Sequence, residues 1–106
     1  MLEITNKTKR KFSSREIFLF KKIYLYILSS KYDLSLVICT DKISKHNTLA
    51  YALTDHEGEI LLNPSRAGKY SLTELFTHSC AHLKGFNHNK KMDVFENRVL
   101  QYLGGK

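Results

Sequence analysis

His78-Ser-Cys-Ala-His82-Leu-Lys-Gly85-Phe-Asn-His88 carries three of the chain's five histidines, and its reading decides how the second half of the chain folds. On a helix, residues four apart share a face, offset by about 40° and ~6 Å along the axis. His78 and His82 then aim at one point. Six further helical residues would turn His88 through ~600°, onto another face, so it joins the pair only if the helix stops first. Gly85 is the residue placed to stop it, because glycine takes the left-handed conformation at a helix end at little cost. Upstream, Ser71 and Glu74 have capping-box spacing, which starts this helix and carries it to about Lys84.

Further upstream the same device recurs. Ser13 and Glu16 open a helix expected over 14–30, with Ile17, Phe20, Ile23, Tyr24 and Ile27 at helical period. Residues 2–5 read as a strand, and the β-branched run LSLVICT at 34–40 reads as a buried one. TLAYAL at 48–53 and EILLN at 59–63 read as two more, with TDHEG between them as a turn closed by Gly58 and Pro64 as the stop. A last helix fits 91–103, placing Met92, Phe95, Val99 and Leu103 on one stripe. Strand, helix, three strands and two helices imply an α+β fold, a small mixed sheet packed with helices in one domain over 1–106.

The formal charge of +7 and pI near 9.5 fit an anionic partner, whether nucleic acid, an acidic protein or a membrane face; excess lysine for solubility accounts for them equally well. Cys39 and Cys80 share no CxxC spacing and read as reduced thiols of a cytoplasmic protein. The start, MLEITNKTKRKF, is too polar for a secretory segment. The most apolar run, 16–30, is broken by Lys21 and Lys22 and is too short to cross a bilayer, so no membrane role is expected.

Three convergent neutral imidazoles make a metal site, and zinc favours that set with a fourth position left for water. The pattern H-x-x-x-H-x-x-G-x-x-H has the spacing of the metzincin proteases, which carry Glu directly after the first histidine as general base. Here that position is Ser79. The ligand spacing is kept and the peptidase base is absent.

The segment also resembles the YbeY family of metal-dependent endoribonucleases, whose signature runs H-G-x-L-H-L-x-G-Y-D-H. His78, His82, Leu83, Gly85 and His88 match it, and Phe86 stands at the aromatic position. Met92, Glu96, Leu100, Leu103 and Gly104 follow the family's tail spacing. GEILLN at 58–63 is similar to the family strand GDIVIS, and HNTLAY at 46–51 to its TDVLSF. Ser79 replaces a glycine and Asn87 an aspartate.

The resemblance implies a zincin-like helix holding one zinc ion through His78, His82 and His88, and hydrolysis of single-stranded ribosomal RNA in rRNA maturation or ribosome quality control. Glu59 takes the place of the family aspartate. The family has an arginine before its TDVLSF strand; this chain has none between Arg15 and Arg66, which leaves Lys42 or Lys45 to supply the charge without the arginine fork. Glu96 either orients a ligand histidine through its second nitrogen or is an ordinary exposed helix residue. Asp55 and Glu57 read as solvated turn carboxylates, His46 and His56 as loop bystanders, and Cys80 as a small core residue. The rivals are an RNA- or ribosome-binding module with a structural metal, and a small metallopeptidase.

Overall fold

Both Ser-x-x-Glu pairs cap helices in the computed structural model, which describes residues 1–85 and 90–104. The Ser13 hydroxyl accepts from the Glu16 N–H at 3.1 Å and the Glu16 carboxylate accepts from the Ser13 N–H at 3.1 Å, opening α1 (Ser14–Ile27). Ser71 and Glu74 do the same at 3.1 and 2.9 Å, opening α2 (Leu72–Lys84). Such reciprocal capping satisfies two backbone N–H groups that a helix start otherwise leaves unpaired.

The strands are β1 (Leu2–Asn6), β2 (Asp33–Ile38), β3 (Thr48–Thr54) and β4 (Glu57–Leu62). A 3₁₀ turn follows at Pro64–Arg66, and α3 (Lys90–Gly104) comes last. The sheet order is β1-β2-β4-β3. β1, β2 and β4 run parallel, and β3 lies antiparallel on the edge beside β4, so the sheet is mixed and the fold is α+β. The parallel β1–β2 pair needs a crossover, and α1 is that crossover. No helix of the described residues is long and apolar enough to cross a membrane.

Register fixes which side chains meet the helices. Leu34 pairs with Gly58, Leu36 with Ile60 and Ile38 with Leu62, and these face the core with Leu2 and Ile4. The period of two sends Ser35, Val37, Glu59 and Leu61 to the opposite face. Phe20 and Ile23 of α1, Phe76 of α2 and Val99 of α3 close the core from the helical side, each 0% exposed. Phe20 and Phe76 meet edge to face at 5.1 Å. Within α3, Val99 is buried and Phe95 is packed on the core, two positions of the expected stripe; Met92 and Leu103 lie outside the described side chains.

Several boundaries differ from the sequence expectation. α1 ends at Ile27 rather than 30, because Ser29 takes a left-handed φ of 81° and its carbonyl accepts the Tyr32 N–H in a reversal. β2 stops at Ile38, and the chain then leaves the sheet. Gly58 does not close the turn. Asp55 and His56 make it, and Gly58 and Glu57 lie within β4. Glycine is needed at 58 for a packing reason: a Cβ there would collide with the Tyr32 hydroxyl and lie 3.2 Å from Leu83 Cδ2 and from the Tyr51 carbonyl oxygen.

The β2–β3 loop is tied down by one carboxylate. Asp41 accepts from Arg66 Nε and Nη2 at 3.1 and 2.6 Å and from Asn63 Nδ2 at 2.8 Å; Asn63 Nδ2 also donates to the Ser44 carbonyl at 2.7 Å. The Arg66 hydrogen bonds, then that of Asn63, hold the Asp41 carboxyl down to about 2. An unfolded aspartate titrates near ~3.9, so the folded value is the lower one. The stabilisation is therefore complete above pH ~4 and is lost as pH falls towards 2. Asp41→Asn is expected to be less stable than the parent at pH 6, with the gap narrowing between pH 4 and 2. Urea midpoints measured across that range check this.

Candidate metal centre

The apolar residues of α2 turn to the core: Leu72, Leu75, Phe76 and Cys80 are buried. His78 and His82 sit on the flank of that stripe and are half-buried. They face a cleft of about 1070 Å³ walled by α2, by Thr48, Leu49 and Ala50 of β3, and by Glu96 and Asn97 of α3, with Tyr70 at one end.

The two rings lie edge to face, with centroids 4.6 Å apart and an interplanar angle of 85°. Their Nε2 atoms are 3.1 Å apart. Two imidazole nitrogens on one tetrahedral zinc, each at 2.0–2.1 Å, would be about 3.3 Å apart. The pair thus fits two neighbouring corners of such a site; as a hydrogen bond, the same contact requires one ring to donate. The Glu96 carboxylate oxygens stand 3.3 and 3.4 Å from His78 Nδ1, and its side chain is only 18% exposed. A carboxylate that accepts from Nδ1–H of a neutral imidazole would leave the Nε2 lone pair directed into the cleft. Of the two readings of Glu96, the structure has the carboxylate beside the histidine.

Gly85 ends α2 as the spacing requires. Its φ is 112° and its N–H reaches the carbonyls of Ala81 and His82. His88, the third expected ligand, lies outside the described residues. Among the described residues no group of three His, Cys, Asp or Glu is arranged to hold a metal ion. No described residue lies within 4 Å of a Cβ placed at Gly85, and the positive φ itself strains any substitution there. Gly85→Val should cost about 1–2 kcal/mol and weaken metal uptake while leaving every histidine in place. Zinc titration of the folded variant measures the second effect.

Ser79 is 1% exposed, and its hydroxyl lies 2.5 Å from that of Thr48. It fastens α2 to the edge strand at the position where a peptidase carries its glutamate. Cys80 is 0% exposed, and burial pushes its thiol well above the ordinary range. It is a core residue, as its helical position implies.

Three expected catalytic residues do not reach the cleft. Glu59 lies on the sheet face opposite the helices, since its neighbours Gly58 and Ile60 take the core side. There it accepts the Tyr51 hydroxyl at 2.5 Å. Lys42 and Lys45 are exposed on the β2–β3 loop, and neither lines the cleft. His46 and His56 are likewise exposed away from it. Among the described residues, the cleft lining contains no lysine or arginine.

The cleft also contains residues not singled out from sequence. Glu74 caps α2, yet it also precedes His78 by four positions, as His78 precedes His82, which puts all three on one stripe. Tyr70, Thr48 and Asn97 come from three separate segments, and no local spacing marks them.

No family model, no curated protein and no solved structure matches the chain.

Proposed function

We propose that the chain is a metal-dependent endoribonuclease acting on single-stranded RNA, with His78, His82 and His88 as ligands of one zinc-class ion. The observation that carries the reading is the meeting of two Nε2 atoms at 3.1 Å in an open cleft, with a carboxylate on the far nitrogen of His78. His88 enters by its spacing after Gly85, and RNA as substrate by the resemblance to the YbeY family and the +7 charge. An ion held by these residues would supply Lewis acidity and lower the pKa of a water towards about 7.

The chain's own residues have distinct tasks. Glu96 fixes the tautomer and orientation of His78. Ser79, engaged with Thr48, offers no carboxylate to shuttle a proton to an amide leaving group, which counts against peptide hydrolysis. Glu96→Ala should weaken zinc affinity about 10- to 100-fold. Glu96→Gln, which keeps an acceptor beside Nδ1, should fall between that variant and the parent. Competition against a chelating dye measures both.

The test of the reaction class is a labelled single-stranded RNA and a labelled peptide incubated with protein, with zinc and with chelator. RNA cleavage that chelator stops supports the proposal. Cleavage of the peptide alone would reassign the chain to the peptidases. The lack of a cation in the described cleft lining favours one second reading, an RNA-binding module with a structural metal. RNA that binds but stays intact under every metal tried would establish it.

A further inference from the structure

The described lining of the histidine cleft contains no lysine or arginine, so a polyanion bound there gains affinity from cations beside it. A second cavity, of about 390 Å³, opens between the first turns of α1 and α2 and contains both Arg10 and Arg15. Tyr70 borders this cavity and the histidine cleft alike, so the two concavities adjoin across one aromatic ring. That residue is 48% exposed, and Lys69 Nζ stands 5.6 Å from the ring centroid. From Ser71, next to Tyr70, to His78 the helix rises about 10 Å.

We propose that single-stranded RNA runs from the histidine pair across Tyr70 into the Arg10–Arg15 cavity, with a base stacked on Tyr70 and backbone phosphates held by the two arginines. The inference rests on the RNA reading above and extends it to a binding path. Arg10 is already ordered for the task. Its guanidinium lies 4.4 Å from the Phe12 ring centroid, and one edge is held by Glu16 at 3.0 Å. An ordered planar fork loses less entropy on gripping a phosphate than a free lysine does. Three carboxylates line the described path: Glu16 and Glu74 each accept a backbone N–H of an N-cap serine, Glu16 also pairs with Arg10, and Glu96 faces His78 Nδ1. An exposed aromatic face flanked by cations is the arrangement that binds unpaired bases irrespective of sequence. A duplex, its bases already stacked, cannot use the ring.

The experiment is fluorescence anisotropy of a labelled single-stranded RNA against salt, in the presence of zinc, for the full chain. Arg10→Ala/Arg15→Ala should bind more weakly, and its salt slope should fall by about 1.4, two single-strand phosphate contacts at ~0.7 each. Tyr70→Ala should lose roughly 5- to 150-fold in affinity, with little change in slope. Because Arg10 also packs on Phe12, Arg15→Glu, which leaves that contact in place, is measured beside the double variant. Zinc uptake should be unchanged in all three, which separates a lost path from a lost fold. Affinities and slopes equal to the parent's would overturn the path while leaving the metal centre standing. Equal affinity of the parent for a duplex of the same length would overturn the stacking role of Tyr70. A parent that binds no RNA would remove the nuclease reading and the path together.

Discussion

His82→Ala is expected to take up no zinc-class ion where the parent takes up about one per chain, and to leave RNA at the chelated background. The expectation follows from geometry. His82 Nε2 is one of only two described nitrogens that meet in the cleft, 3.1 Å from the other. Glu96 holds His78 from behind, on the nitrogen that faces away from His82. Removing His82 leaves at most a two-imidazole set, which falls short of the three protein ligands a catalytic zinc site employs. Because His82 is half-buried on the flank of α2, away from the core stripe, the variant should fold and melt close to the parent. Metal analysis after gel filtration, paired with a thermal melt, separates lost ligation from lost structure.

The largest stability effect is expected at Gly58. Gly58→Ala should destabilise the fold by about 1–3 kcal/mol, the ordinary cost of overpacking a well-filled interior. Its new methyl meets three groups at once: the Tyr32 hydroxyl, the Leu83 side chain and the Tyr51 carbonyl. The carbonyl belongs to the β3 backbone and gives way least. The hydroxyl has no partner among the described residues, although it is buried. A buried donor without a partner contributes nothing to offset its desolvation, so Tyr32→Phe alone should be neutral or slightly stabilising. In the Gly58→Ala/Tyr32→Phe protein the worst collision is gone, and part of the loss should return. Urea midpoints for the four proteins form a double-mutant cycle. Strict additivity would show that the hydroxyl is not what obstructs the methyl.

Part of this is legible in the sequence alone. Each capping box marked a helix start because the two side chains and two N–H groups that make it lie within four residues. Gly85 was legible for the same reason, since a helix that must end before His88 needs a left-handed residue at its close. The end of α1 was not, because Ser29 carries no signal of its positive φ. Gly58 looked like a turn residue. Its partners, Tyr32 and Leu83, are distant in the chain; the β2–β4 pairing brings the first to it and the packing of α2 on the sheet the second.

The candidate site divides along the same line. His78, His82 and Glu74 recur every four residues on one helix, so their shared stripe is a local property. The His78–Glu96 contact spans eighteen residues and two helices, and sequence left both readings of Glu96 open. For Glu59 the local sequence gives no face. Its register with Ser35 and Tyr51 places it on the side of the sheet away from α2.

X-ray absorption at the zinc edge, on protein loaded with one equivalent and freed of excess, tests the proposed metal centre most directly. A first shell of three imidazole nitrogens at about 2.0 Å plus one oxygen is the predicted result. Sulfur scattering at about 2.3 Å, or an ion removed by simple gel filtration, would contradict it.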